Sequence, residues 1–221
     1  MRSLIGCFSV FIIAGVVFAG PKPSGPDCSN EFLQLAVGTR RLFENRIGQI
    51  HGRTSIITEN TGITHFDVDR STYKMVGILG NGSGKDGTAY LVQNSEGHYM
   101  KVKKYWDLRG LKKSLSEEAV LAANGFPVLR HIAVNESEHT ALFPMGNGLT
   151  VKEVMENAQS ELSDSARATI LTQYEAWLSI YNPKFLKLFP LTRYAGKTPG
   201  IQPQNVIFDP ETAAFIIIDP T

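Results

Sequence analysis

Cysteine is scarce in this chain. Its 221 residues include two, Cys7 and Cys28, too few for a disulfide framework. Charge of one sign is equally scarce: 22 Lys and Arg against 21 Asp and Glu leave a formal net charge of +1, with no basic run. A nucleic-acid surface needs a basic patch or stripe, so nucleic acid is not an expected partner. The five histidines, His51, His65, His98, His131 and His139, show no metal-ligand spacing. With only two distant cysteines to help them, this argues against a zinc site. There is no Gly-x-Ser-x-Gly elbow to carry a hydrolase nucleophile. There is also no internal repeat and no low-complexity tract. With 43% hydrophobic residues, the chain can bury a core for one domain of two small parts.

Long hydrophobic runs are missing too, with one exception at the N-terminus. Arg2 precedes an apolar run from Leu4 to Ala19. The run falls short of the roughly 20 residues a membrane span needs. Val17-Phe18-Ala19, followed by Gly20-Pro21, fits the small-residue cleavage rule. The expectation is a secretory signal peptide cut after Ala19 and a secreted protein with no stable membrane span; an uncleaved anchor is the alternative. Cleavage removes Arg2 and Cys7, which balances the charges and leaves Cys28 alone, free or paired between chains. Gly20–Ser29 reads as a Pro/Gly-rich leader. Asn30–Ile50 places Phe32, Leu35, Ala36, Phe43, Ile47 and Ile50 at helical spacing, an N-terminal helical extension. Gly52–Arg70 is polar and shows no clear pattern. Two glycosylation sequons occur, Asn81-Gly82-Ser83 and Asn135-Glu136-Ser137, the second in an expected surface turn.

The stretch from Leu79 to Val92 reads as strand, glycine-rich turn, strand. Gly80, Gly82 and Gly87 carry no side chain to block a close approach to phosphate oxygens. The same glycines also suit a plain hairpin tip. A Walker A loop does not fit: Asp86 follows Lys85 where Ser or Thr is needed, and Leu79 occupies the first glycine position. A second strand, His98–Val102, carries Lys101, which can reach phosphates held by the turn. A helix over Leu111–Asn124 follows, with Glu117 and Glu118. Glu117 shares a face with Leu121 four residues on and is the preferred partner for Lys101; Glu118 is the alternative. Strands are expected around Arg130–Val134 and Thr140–Phe143, then a helix over Leu149–Glu156. A longer helix, Asp164 to Tyr181, is capped by Ser163 or Asp164. Its stripe of Ile170, Leu171, Tyr174, Trp177, Leu178 and Tyr181 belongs to the core. Finally, Val206–Asp209 and Ala214–Ile218 form a hairpin that brings Asn205 and Asp219 to one end, where both can donate oxygen to Mg2+.

From Tyr73 to the end, these features in this order resemble the protein-kinase-like fold. Leu79-Gly80-x-Gly82…Gly87-Thr88-Ala89-Tyr90-Leu91-Val92 is similar to the kinase glycine-rich loop, with extra residues before Gly87. Met100-Lys101-Val102 resembles the ATP-anchoring strand, Glu117-x-x-x-Leu121 the partner helix, and Gln202-Pro203-Gln204-Asn205-Val206-Ile207 half of the catalytic loop. Asp219 matches the metal-binding aspartate, in an Asp-Pro context closer to small-molecule kinases than to Asp-Phe-Gly. The resemblance implies an α+β, bilobal fold: an antiparallel β-sheet upper lobe with one regulatory helix, and a short, mainly helical lower lobe. The implied divisions are 1–19 signal peptide, 20–70 leader and helical extension, 71–145 upper lobe and 146–221 truncated lower lobe.

Departures from the family pattern bear on activity. Gly200 stands where the catalytic aspartate is expected, and a glycine cannot accept a proton. Gln202 replaces the catalytic-loop lysine, and the sequence reaches Thr221 with no activation segment and no Ala-Pro-Glu. Minimal kinase-like effectors that some bacteria secrete into host cells have a similarly short lower lobe. Two readings follow. In the first, the chain binds ATP and Mg2+ with weak or lost phosphoryl transfer to protein Ser/Thr. Gly80, Gly82, Gly87 and Lys101 would hold the nucleotide, Lys101 and Glu117 would be the catalytic pair, and Asn205 and Asp219 would hold the metal. In the second, it is a non-catalytic pseudokinase effector or scaffold that binds a host or partner protein.

Overall fold

The computed structural model describes residues 62–79, 86–146, 148–156, 162–190, 200–210 and 212–219. The expected signal peptide and its cleavage point, both cysteines, the leader, the Asn30–Ile50 segment, Gly80, Gly82 and the Asn81 sequon lie outside the described residues. Among the described residues no helix is long and apolar enough to cross a membrane.

The described residues form a mixed α+β structure with an antiparallel six-stranded sheet and few helices, consistent at this coarse level with the expected kinase-like fold. The strands are β1 (His65–Val68), β2 (Ser71–Ile78), β3 (Gly87–Gln93), β4 (Tyr99–Tyr105), β5 (Ala133–Asn135) and β6 (Thr140–Pro144), in the order β1-β2-β3-β4-β6-β5. Alternation drives the pairing. Val92 and Val102 from β3 and β4 join Phe66, Val68, Met75, Tyr90 and Leu142 in one buried cluster. Strand β1 lies inside Gly52–Arg70, where the sequence shows no pattern. Only Phe66 and Val68 alternate inward there, too few residues for a period to stand out, and pairing with β2 supplies the rest.

Helix α1 (Leu108–Ala123) begins where the Asp107 side chain accepts the Gly110 N–H at 2.7 Å. Its buried stripe is Leu111, Ser114, Glu118 and Leu121. The second region starts with β7 (Leu149–Thr150) and helix α2 (Val151–Glu156), then helix α3 (Asp164–Leu188). Ser163, not Asp164, caps α3, accepting from Ala166 N–H at 3.2 Å. The expected end at Tyr181 is too early: α3 continues through Pro183 to Leu188. Proline inside a helix removes one hydrogen bond, but burial of Phe185 and its edge contact with Phe126 hold the last turn. The expected stripe of α3 does enter the core, with Ile170 and Tyr174 buried and Leu171, Trp177, Leu178 and Tyr181 packed against them.

A 3-10 turn, Pro203–Asn205, leads into β8 (Val206–Asp209) and β9 (Ala214–Ile217), which form a three-stranded sheet with β7. One short strap joins this sheet to the segment after α1. Leu129 N–H donates to the Ile217 carbonyl at 2.8 Å, and Ile217 N–H donates to the Pro127 carbonyl at 2.7 Å. It fixes the end of β9 directly before Ile218 and Asp219.

Candidate functional site

Strand β4 runs to Tyr105, longer than the expected His98–Val102, and so contains both Lys101 and Lys103. Residues two apart on a strand point to the same face. On that face stands the end of β9. Lys103 Nζ lies 2.6 Å from Asp219 Oδ2, a charge-assisted hydrogen bond. Lys101 Nζ donates to the Ile218 carbonyl at 3.3 Å and sits 4.4 Å from the centre of the Phe143 ring.

These surroundings set the two amines apart. Burial pushes Lys101 down to about 8; the like charge of Lys103 adds to the fall, while Asp219 and Glu118 oppose it. Burial also acts to lower Lys103, but Asp219, through its charge and its hydrogen bond, prevails with help from Tyr105 and Asp86, so Lys103 is held above the usual lysine range. The firmly charged ammonium at this site is therefore Lys103. The expected strand, His98–Val102, contains Lys101 and stops short of Lys103. The missed signal was available: Lys103 repeats Lys101 at the period of a strand.

Asn205 closes the 3-10 turn, its N–H donating to the Gln202 carbonyl at 2.9 Å. Its own carbonyl accepts the Ile218 N–H at 2.8 Å. With Val206 opposite Ile217 in the hairpin register, Asn205 and Asp219 stand at the same end of β8 and β9. The early strand and the late hairpin thus bring Lys101, Lys103, Asn205 and Asp219 together.

The helix glutamates are placed differently from the expected pair. Glu118 is the more buried, and its carboxylate is committed to His131, 2.9 Å from Nδ1 and accepting the backbone N–H at 3.2 Å. Arg130 Nε is 3.6 Å away. Glu117 has Lys113 as its ion-pair partner, at 3.7 Å, and its Oε2 is buried without a hydrogen bond. Burial raises the Glu117 carboxyl above the usual range; Asp86 and Asp219 push the same way, against Lys113. No ion pair joins Glu117 to Lys101 among the described residues, and the glutamate whose charge acts on Lys101 is Glu118. Both glutamates satisfy a helical face with Leu121, at three and four residues. Only the tertiary contacts separate them.

Gly87 has a packing reason to be glycine. A Cβ there would overlap the Lys104 carbonyl and stand 2.8 Å from Tyr105 Cα, so the close approach of β3 to β4 excludes a side chain. Gly200 is more restricted still. Its φ of +119° suits glycine alone, and a Cβ would overlap Asn182 Oδ1. That oxygen is already in use, accepting the Ile201 N–H at 3.0 Å. The position where the resemblance expects a catalytic aspartate is thus filled by a side chain of α3.

No family model matches the chain, and no curated protein matches it either. Among solved structures, the Rio2 kinase from Chaetomium thermophilum, in an ADP/Mg2+-phosphoaspartate complex, is similar at 18% identity and a TM-score of 0.40, over 75% of this chain and 51% of that one. The chain therefore spans about half the length of that kinase. A likeness this distant carries no residue role across.

Proposed function

We propose that this chain is a secreted, protein-kinase-like protein that binds ATP with Mg2+, with phosphoryl transfer weak or lost. One observation carries the reading: two lysines of β4 meet Asp219 and the backbone before it, at the hairpin end that also holds Asn205. Lys103 is positioned to bind a phosphate, since it is charged and already oriented by a carboxylate. Lys101 lies beside it as a second donor. Gly80, Gly82 and Gly87 are assigned to the nucleotide turn.

The donor set suits a hard cation. Asp219 and the amide of Asn205 are oxygen ligands, and Mg2+ commonly takes one or two carboxylates with the rest from phosphates and water. No group of three or more His, Cys, Asp or Glu side chains that could hold a metal occurs among the described residues; in this reading the ion arrives with the nucleotide. Bound there, Mg2+ would neutralise phosphate charge. Asp219 would then be shared between the cation and Lys103.

Transfer is the weak step in this reading. A general base must reach the attacking hydroxyl, and Gly200 offers none. Positioning and electrostatics alone can retain some transfer. The absence of room for a side chain at Gly200, where a Cβ would meet Asn182 Oδ1, favours the second reading, a non-catalytic module that binds a partner protein, because the loop is built around a glycine.

The thermal shift of the protein with ATP and Mg2+ tests this. Ligand that binds the folded state raises the midpoint by mass action. A shift that disappears in Lys103→Met supports nucleotide binding. No shift in the parent protein supports the partner-binding module. Slow labelling of a generic protein substrate by the parent would show residual transfer.

A further inference from the structure

We propose that Asn135 is an N-glycan acceptor, at the end of β5, where its amide also links the two edge strands of the six-stranded sheet. Asn135-Glu136-Ser137 is a complete sequon, with Glu rather than Pro in the middle. Asn135 ends β5, and the turn Glu136–His139 leads to β6. Glu136, Ser137 and Glu138 are exposed, and Asn135 is partly so.

The acceptor amide is held in place. The Ser137 hydroxyl donates to Asn135 Oδ1 at 2.7 Å, and the Glu138 N–H donates to the same oxygen at 3.2 Å. Nδ2 donates to the Asp67 carbonyl at 2.8 Å. Asp67 belongs to β1 and Asn135 to β5, the two edge strands of the sheet. A side-chain amide has two N–H donors. Asp67 takes one, and the other has no partner among the described residues. Substitution of that second hydrogen leaves the seam bond intact. It also places a bulky polar group at the end of β5, an edge that could otherwise template pairing with another chain.

The reaction is a group transfer. Nδ2 bonds to the anomeric carbon of an oligosaccharide carried on a polyprenyl pyrophosphate. The carbon–oxygen bond to pyrophosphate breaks, the polyprenyl pyrophosphate leaves, and Nδ2 gives up one proton. The inference is independent of nucleotide binding. It rests on export directed by Leu4–Ala19, because the donor is met along the secretory route.

The full-length chain expressed in cultured insect cells provides the test, read by intact mass before and after peptide-N-glycosidase treatment and by peptide mapping. The expected result is a glycan at Asn135 that is absent in S137A and still present in S83A. S137A keeps the Asn135 amide and its Asp67 bond, so it separates loss of the glycan from loss of the seam. Its melting temperature should exceed that of N135A, which loses both. An unmodified Asn135 overturns the proposal. N-terminal sequencing then tells an exported, cleaved chain from one that never entered the route, which distinguishes failure of the acceptor from failure of the leader.

Discussion

In the six-stranded sheet, every pairing except β4 with β6 joins strands adjacent in the sequence. In the second region, β7 must find β8 across the whole of α2 and α3. The sheet is built mainly from local hairpins, with one register shift between β2 and β3 at Met75–Gly77. The second region depends on long closures, whose entropy is recovered only when the final packing is correct. The second region has Pro183 inside a helix, Gly200 at positive φ and the buried Tyr174 hydroxyl without a hydrogen bond, while the sheet and α1 have Asp69, Arg70 and His139 at positive φ and Glu117 Oε2 and Thr140 Oγ1 buried without a hydrogen bond. Tolerance of substitution should therefore differ between the regions, and the candidate site, which draws on both, should divide the same way.

The largest effect is expected at Gly200. Gly200→Asp must adopt a φ that other residues avoid, at roughly 1–3 kcal/mol, and must also displace Asn182. Urea unfolding should show a loss at or above that range, with no gain in phosphoryl transfer. Gly200→Ala should lose nearly as much, because the Cβ is the obstacle. A stable, newly active Gly200→Asp protein would mean that the second region is only a decayed catalytic loop.

Next comes the lysine pair. Lys103→Met removes the ammonium from Asp219, a carboxylate that is only partly exposed, and should cost roughly 1.5–3 kcal/mol, as for hydrogen bonds to charged groups. It should also abolish the shift with ATP and Mg2+. Lys101→Met should cost far less at neutral pH, because it removes an amine whose burial already opposes its charge. Melting temperatures of both variants, with and without ligand, check the order. Equal losses would erase the distinction between the two amines.

The same distinction has a pH signature. Lys101 titrates near 8 when folded and at 10.5 in the reference state, so the folded form binds fewer protons between those values. Its contribution to stability therefore rises from about pH 8 to 10.5. Lys103 is shifted upward; its contribution is fully present below the unfolded value and is lost as pH rises through the folded one. Chemical denaturation across that window should rise less steeply in Lys101→Met than in the parent.

The smallest effects separate two tyrosines. Tyr105 in the sheet donates its hydroxyl to Ser114 Oγ at 2.9 Å, so Tyr105→Phe should lose about 1 kcal/mol. Tyr174 in the second region has no such bond, so Tyr174→Phe should be neutral or gain up to about 1 kcal/mol. Opposite signs from one chemical change would show that the same hydroxyl is satisfied at Tyr105 and unsatisfied at Tyr174.

Much of the fold was legible as local pattern. The antiparallel pairing of β2 with β3, a cap at Ser163 or Asp164, the core stripe of α3 and the β8–β9 hairpin all follow from spacing within a few residues. Strand β1, at four residues, was too short to announce itself. The stripe of α3 ends at Tyr181 in the sequence, and only the burial of Phe185 carries the helix past Pro183 to Leu188. Asn205 and Asp219 could be paired in advance because a hairpin fixes its own ends.

Residue order alone determined which segments alternate, which turn and which cap, because those preferences act between near neighbours along the backbone. Tertiary structure decided that Lys103 rather than Lys101 grips Asp219, that Glu118 turns to His131, and that Asn182 occupies the space beside Gly200. Such choices depend on distances of a few ångströms between groups far apart in the chain, and periodicity contains no measure of them.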